Sequence, residues 1–134
     1  MADYAKSTLT TRYSDSSDYS DGATSQGLIA QTWTKEQTTP TERLLFEGQI
    51  LQASSTTLDL GKFTTVQSVA IYNEDASEYL TVTMASVGNS NATYIQRIPA
   101  GEFIRVCDVT ISTDIVLAAQ TTDCDNVRVI VYGT

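Results

Sequence analysis

From residue 44 onward, apolar and polar residues alternate with a period near two, the spacing of a strand that lays one face on a core. Val66, Ser68, Ala70 and Tyr72 fall on one side and Gln67, Val69 and Ile71 on the other. Leu80, Val82 and Met84 alternate with Thr81 and Thr83, and Val127, Val129 and Val131 with Arg128, Ile130 and Tyr132. β-branched residues dominate these stretches and suit a pleated surface better than a helix, where their χ1 freedom is restricted. The pattern predicts eight strands, at 44–53, 56–60, 65–72, 79–85, 93–98, 102–107, 115–120 and 126–132, and no long helix.

Turn-forming clusters separate them at short intervals: Asn73 to Glu78, Ser86 to Asn91, Pro99-Ala100-Gly101 and Thr121 to Asn126. In Pro99-Ala100-Gly101, proline is expected to preset φ at the first central position and glycine to supply positive φ. The fold class that follows is all-β, an antiparallel β-sandwich of about eight strands, jelly-roll-like, with an extended N-terminal arm.

The arm is visible as a composition shift. Residues 1–43 contain 12 apolar residues and residues 44–134 contain 43, so only the second part carries enough to pack a core. The division read here is an arm over 1–43 and a sandwich over 44–134. Ser14-Asp15-Ser16-Ser17-Asp18-Tyr19-Ser20-Asp21-Gly22 is too polar to bury anything. Gly27-Leu28-Ile29-Ala30-Gln31-Thr32-Trp33 suits one strand, or an anchor laid on another surface. Tyr4, Tyr13, Tyr19, Leu28, Ile29 and Trp33 are the interface candidates, because large apolar and aromatic side chains supply much of the energy of protein contacts.

Composition narrows the chemistry. The 134 residues suit one domain able to bury roughly 65 to 70% of its unfolded surface. No run approaches the roughly 18 apolar residues of a membrane helix, and the first residues lack a signal-peptide pattern, so the expectation is a soluble, untargeted chain with no membrane partner. Eight basic against sixteen acidic residues give a net charge of −8, which repels a phosphate backbone. Lys6, Arg12, Lys35, Arg43, Lys62, Arg97, Arg105 and Arg128 are scattered singly along the chain, and no nucleic acid is expected.

Histidine is absent, which removes the usual general base and the Ser-His and Cys-His nucleophile pairs. Cys107 and Cys124 are too few for a zinc cluster; two reduced thiols and a single bridge are the readings left open. Asp15, Asp18, Asp21 and Gly22 do not match the alternate spacing of a calcium loop. Asp108, Asp114, Asp123 and Asp125 would meet a hard cation only if one end of the sandwich converged, and turn formation is the simpler account. Nothing in the positions of Glu74, Asp75, Glu78 and Glu102 demands the facing pair of a glycosidase. Asn91-Ala92-Thr93 matches a glycosylation acceptor but lacks a secretory context. No catalytic residue, metal or cofactor is expected.

Three stretches carry a family resemblance: Val69-Ala70-Ile71-Tyr72-Asn73-Glu74-Asp75-Ala76 leading into Tyr79-Leu80-Thr81-Val82-Thr83, the turn Ile98-Pro99-Ala100-Gly101-Glu102, and Val127-Arg128-Val129-Ile130-Val131-Tyr132-Gly133-Thr134. Together they resemble the small β-sandwich or jelly-roll proteins on virions of tailed bacteriophages, the capsid cement or decoration family. The resemblance covers about half the chain and not residues 1–43. It implies a non-enzymatic, commonly homotrimeric protein, made in the host cytoplasm and located on the capsid surface, whose partners are the major capsid protein or other virion subunits. The other reading it allows is a tail-fibre or receptor-binding module that holds a host glycan or protein through loop residues such as Tyr94, Asn89 and Asn91.

Overall fold

The computed structural model describes residues 4–13, 29–38, 40–84, 93–107 and 114–134, with side chains described for 40–84, 93–106 and 114–134. The chain divides between Thr39 and Pro40 into two compact units, each treated by itself.

The first unit contains β1 (Tyr4–Tyr13) and β2 (Ile29–Thr38), paired antiparallel along their whole length. Within the segment read as an extended arm, these two strands pair with each other, each through one of its two edges. Its register sets Leu9 opposite Trp33 and Tyr13 opposite Ile29, on one set of alternate positions. The other set carries Lys6 opposite Glu36, Thr8 opposite Thr34 and Thr10 opposite Thr32.

The second unit is all-β. β3 (Glu42–Ile50), β4 (Thr56–Leu58), β5 (Val66–Asn73), β6 (Leu80–Met84), β7 (Tyr94–Ile98), β8 (Phe103–Cys107), β9 (Ile115–Ala119) and β10 (Cys124–Gly133) form two four-stranded sheets, ordered β3-β10-β5-β8 and β4-β9-β6-β7. Every pairing is antiparallel, and the pairs are nested: first with last, second with next to last, inward to β6 with β7. β10 also pairs with β5, and β9 with β6. A long hairpin rolled up in this way is a jelly roll, two Greek keys closed over one core. The eight sandwich strands are those that the alternation predicts, with shifted ends; β3 starts at Glu42 and so includes Arg43.

The alternation becomes burial directly. In β6, Leu80, Val82 and Met84 are buried while Thr81 and Thr83 are partly exposed; in β9, Ile115, Leu117 and Ala119 repeat the pattern. β5 contributes Val69 and Ile71, and β10 contributes Val127, Val129 and Val131. Each fully buried aliphatic side chain contributes about 1.5–3 kcal/mol relative to exposure. Val66 departs from its predicted face: a register shift between Tyr132 and Gly133 takes it off the outer row, and it is buried. Gly133 itself admits no side chain, because a Cβ there would drive into the Thr65 carbonyl oxygen.

The turn at residue 99 differs from expectation in one respect. The Glu102 N–H donates to the Pro99 carbonyl at 3.2 Å and Gly101 has φ of 75°, so Pro99 is the first of four turn residues, and Ala100 and Gly101 are the central pair. Glycine carries the conformational demand, and proline ends β7 by ceasing to donate.

Candidate interaction surface

Two groups of polar residues stand out on the sandwich. The first closes one end. Asn73, the last residue of β5, is buried; its Nδ2 donates to the carbonyls of Glu78 (2.9 Å) and Ile98 (3.0 Å), and its Oδ1 accepts from the Asp75 N–H (3.2 Å) and the Cys124 thiol (3.1 Å). One amide thereby ties three loops together.

Asp75 is filled in the same manner. Oδ1 accepts from the N–H groups of Ser77 (2.8 Å) and Glu78 (2.7 Å), and Oδ2 from that of Asp125 (2.7 Å). Backbone donation from Glu78, Ser77 and Asp125 holds its carboxyl below the ordinary range, against the opposing effect of desolvation. Glu78 accepts from the Tyr79 N–H on one oxygen, and on the other from the N–H and hydroxyl groups of both Thr121 and Thr122. The Thr121 hydroxyl is the largest cause, followed by the Thr122 N–H, of a carboxyl pKa lowered to about 2.

These carboxylates are acceptors fully committed to their own loops. An acid catalyst needs a raised pKa and an open position, and Glu78 has neither. The other aspartates weighed as cation ligands are dispersed: Asp123 accepts from the Gln52 N–H, Asp125 from the Gln49 amide and Asp114 from the Leu60 N–H. Among the described residues no group of three or more potential ligands converges on a metal position. Asp108 lies outside them. Cys124 is a free, buried thiol, and burial together with Asp75, Glu78 and Asp125 pushes its pKa up to about 11, so it stays protonated and unreactive near neutrality.

The second group lies on the outward side of the β3-β10-β5-β8 sheet. The registers line up three rows across it: Glu47, Arg128, Tyr72 and Phe103; Leu45, Ile130, Ala70 and Arg105; Arg43, Tyr132, Ser68 and Cys107. Arginines scattered singly along the chain are therefore gathered on one surface. Antiparallel pairing of first with last strands puts Arg43 and Arg128 on one face, two rows apart, and a sequence pattern alone does not reveal that.

This surface is apolar where a solvated sheet face is ordinarily polar. Leu45 is 64% and Phe103 47% exposed. Tyr72 and Phe103 stack with ring centres 5.7 Å apart. Arg43, Leu44, Leu45, Ile130 and Tyr132 line an open groove of about 470 Å³.

Its charges are unevenly satisfied. Arg128 Nε lies 2.8 Å from Glu47 Oε1, an ion pair whose N–H is not aligned on the oxygen as a hydrogen bond, and Nη1 lies 3.5 Å from Glu74. By contrast, the Arg105 Nε and Nη2 are out of contact with solvent and have no hydrogen-bond partner among the described residues. Arg43 forms no ion pair among the described residues.

Of the predicted interface residues, Tyr4, Tyr13, Ile29 and Trp33 lie in the hairpin strands, Ile29 and Tyr13 as direct partners. Tyr19 and Leu28 lie outside the described residues. For a loop-borne glycan site, Tyr94 is exposed and its hydroxyl donates to Gln96, while the Arg97 guanidinium covers the Tyr79 ring at 3.7 Å. Asn89 and Asn91 lie outside the described residues. Comparison with protein-family models, curated proteins and solved structures finds no match.

Proposed function

We propose that this chain is a structural virion protein, a capsid decoration or cement protein that binds the major capsid shell through its sandwich and its N-terminal segment, as a homotrimer on the capsid surface. The observation that carries this reading is the apolar outer face of the β3-β10-β5-β8 sheet, where Leu45 and Phe103 are exposed to solvent. Exposed apolar patches rimmed by charge are a feature of protein-binding surfaces.

The hairpin adds to it. Two strands alone are marginal in water, and a hairpin with Leu9, Trp33, Tyr13 and Ile29 on one set of positions gains from any surface that covers that set. Many copies on a symmetric shell multiply individually weak contacts.

Cosedimentation with purified, expanded capsid shells of the phage that encodes the chain tests the reading. Saturable binding by the wild-type protein is expected, with loss in a Leu45→Glu, Phe103→Glu variant that unfolds at the unchanged temperature. A wild-type protein that leaves the shells bare at saturating concentration removes the reading.

A further inference from the structure

The outer sheet face carries more than apolar area, because its cations have a defined spacing. Arg43 sits on the edge strand β3 and Arg105 on the opposite edge strand β8, with β10 and β5 between them. Three strand spacings of about 4.8 Å separate them by roughly 14 Å across the sheet, and slightly more along the diagonal. The residues between are Ile130 and Tyr132 on β10, and Ala70 on β5.

Among the described residues, neither arginine has a carboxylate partner. Guanidinium N–H groups withdrawn from water and left without acceptors, as at Arg105, carry an uncompensated desolvation cost, which is relieved when the side chain turns outward to meet a carboxylate. Arg43 lines the groove itself, beside Leu45, Ile130 and Tyr132. In a chain of net charge −8, this face holds three arginines against Glu47 and Glu74, both of which are already engaged with Arg128.

We propose that this face binds an extended acidic polypeptide segment of the partner subunit, laid across the strands, with two carboxylates four residues apart and an apolar side chain midway. An extended chain advances roughly 3.4 Å per residue, so positions i and i+4 lie about 14 Å apart and point the same way, as does i+2. One carboxylate meets Arg43 and the other Arg105, and the apolar side chain rests on Ile130. This inference rests on the decoration reading for the identity of the partner, and on the face alone for its chemistry.

The test uses the full chain, labelled for amide NMR, and capped pentapeptides. Glu-Thr-Leu-Thr-Glu is expected to shift amides around Arg43, Leu45, Ile130 and Arg105, with affinity falling as salt is raised. Gln-Thr-Leu-Thr-Gln is expected to leave them in place, and Glu-Glu-Leu-Thr-Thr, of equal charge, to bind more weakly. An Arg43→Gln, Arg105→Gln variant with unchanged melting temperature is expected to bind the first peptide about tenfold more weakly.

Equal binding of all three peptides, shifts confined to another face, no shifts at all, or undiminished binding by the double variant each overturns the proposal. So does a single-stranded oligonucleotide that displaces the peptide at equal concentration. The outcomes separate from those of the shell assay. Shells that bind wild type and double variant alike, with the peptide silent, remove this site and leave the decoration reading. A peptide that binds as described while the wild-type protein ignores shells removes the decoration reading and leaves the site.

Discussion

The end cluster around Asn73 and the largely apolar outer face of the β3-β10-β5-β8 sheet both carry charged side chains, and they use them in opposite ways. At the end cluster each carboxylate oxygen meets donors of the same chain, and the residues involved are buried or nearly so. On the outer face, Leu45 and Phe103 project into solvent while Arg105 lacks an acceptor among the described residues. The difference separates charge that holds a fold together from charge available to a partner: the first is recognised by completed hydrogen bonding, the second by its absence beside apolar area.

If that distinction is correct, the largest effect on stability belongs to Asn73→Ala. The substitution removes two donors to the carbonyls of Glu78 and Ile98 and the acceptor for the Asp75 N–H, all in a buried site. Leaving buried groups unpaired costs about 1–3 kcal/mol each, with partial relief from relaxation, so a loss of about 3 kcal/mol is expected. Urea unfolding at neutral pH measures it. A change below about 0.5 kcal/mol would show that the cluster does not hold the loops.

The next effect is on acid stability. Glu78 has a folded-state pKa of about 2 against an ordinary 4.5, and Asp75 is lowered as well. A lowered carboxyl pKa contributes stability that is complete above the ordinary value and is lost as pH falls through the folded one. Stability is therefore expected to decline from about pH 5 to about pH 2 as these groups bind protons. In Glu78→Gln the decline is shallower, and the neutral-pH stability lower, because the amide accepts more weakly than the carboxylate. Parallel pH profiles for the two proteins would show that the acid dependence originates elsewhere.

The same contrast explains what the amino-acid sequence disclosed. The strands of the sandwich were legible because their signal is local: Leu80, Val82 and Met84 state their own face, and so do Ile115, Leu117 and Ala119. Ends were less so. β4 stops at Leu58, where the predicted strand ran on to Leu60; Leu60 stays buried while the Gly61 N–H turns back to Asp59. Pairing is not local. Nothing in the polar, threonine-rich residues 4–13 identifies residues 29–38 as their partner, so the hairpin appeared in the sequence as at most one strand. Arg43, Arg105 and Arg128 share a face only because β3, β8 and β10 share a sheet. Asn73 and Asp75 were legible as turn residues, but their reach to Ile98 and Asp125 depends on loops brought together by the roll.

The smallest effect on stability, and the sharpest test of the comparison, is Leu45→Ser. Leu45 stands on an edge strand with most of its surface in water, so its removal gives up little core burial, and the unfolding midpoint is expected to move by no more than about 0.5 kcal/mol equivalent. Its contribution in a complex is different in kind: covering that side chain in an interface supplies about 1.5–3 kcal/mol, so shell binding is expected to weaken by about tenfold or more. Paired urea titrations and cosedimentation on one preparation measure both quantities. If Leu45→Ser costs as much stability as Asn73→Ala, the outer face is itself part of what holds the sandwich together, and its exposure carries no message about a partner. If stability and shell affinity both stay constant, the face is outward but idle, and the hairpin is left as the element that makes the contact.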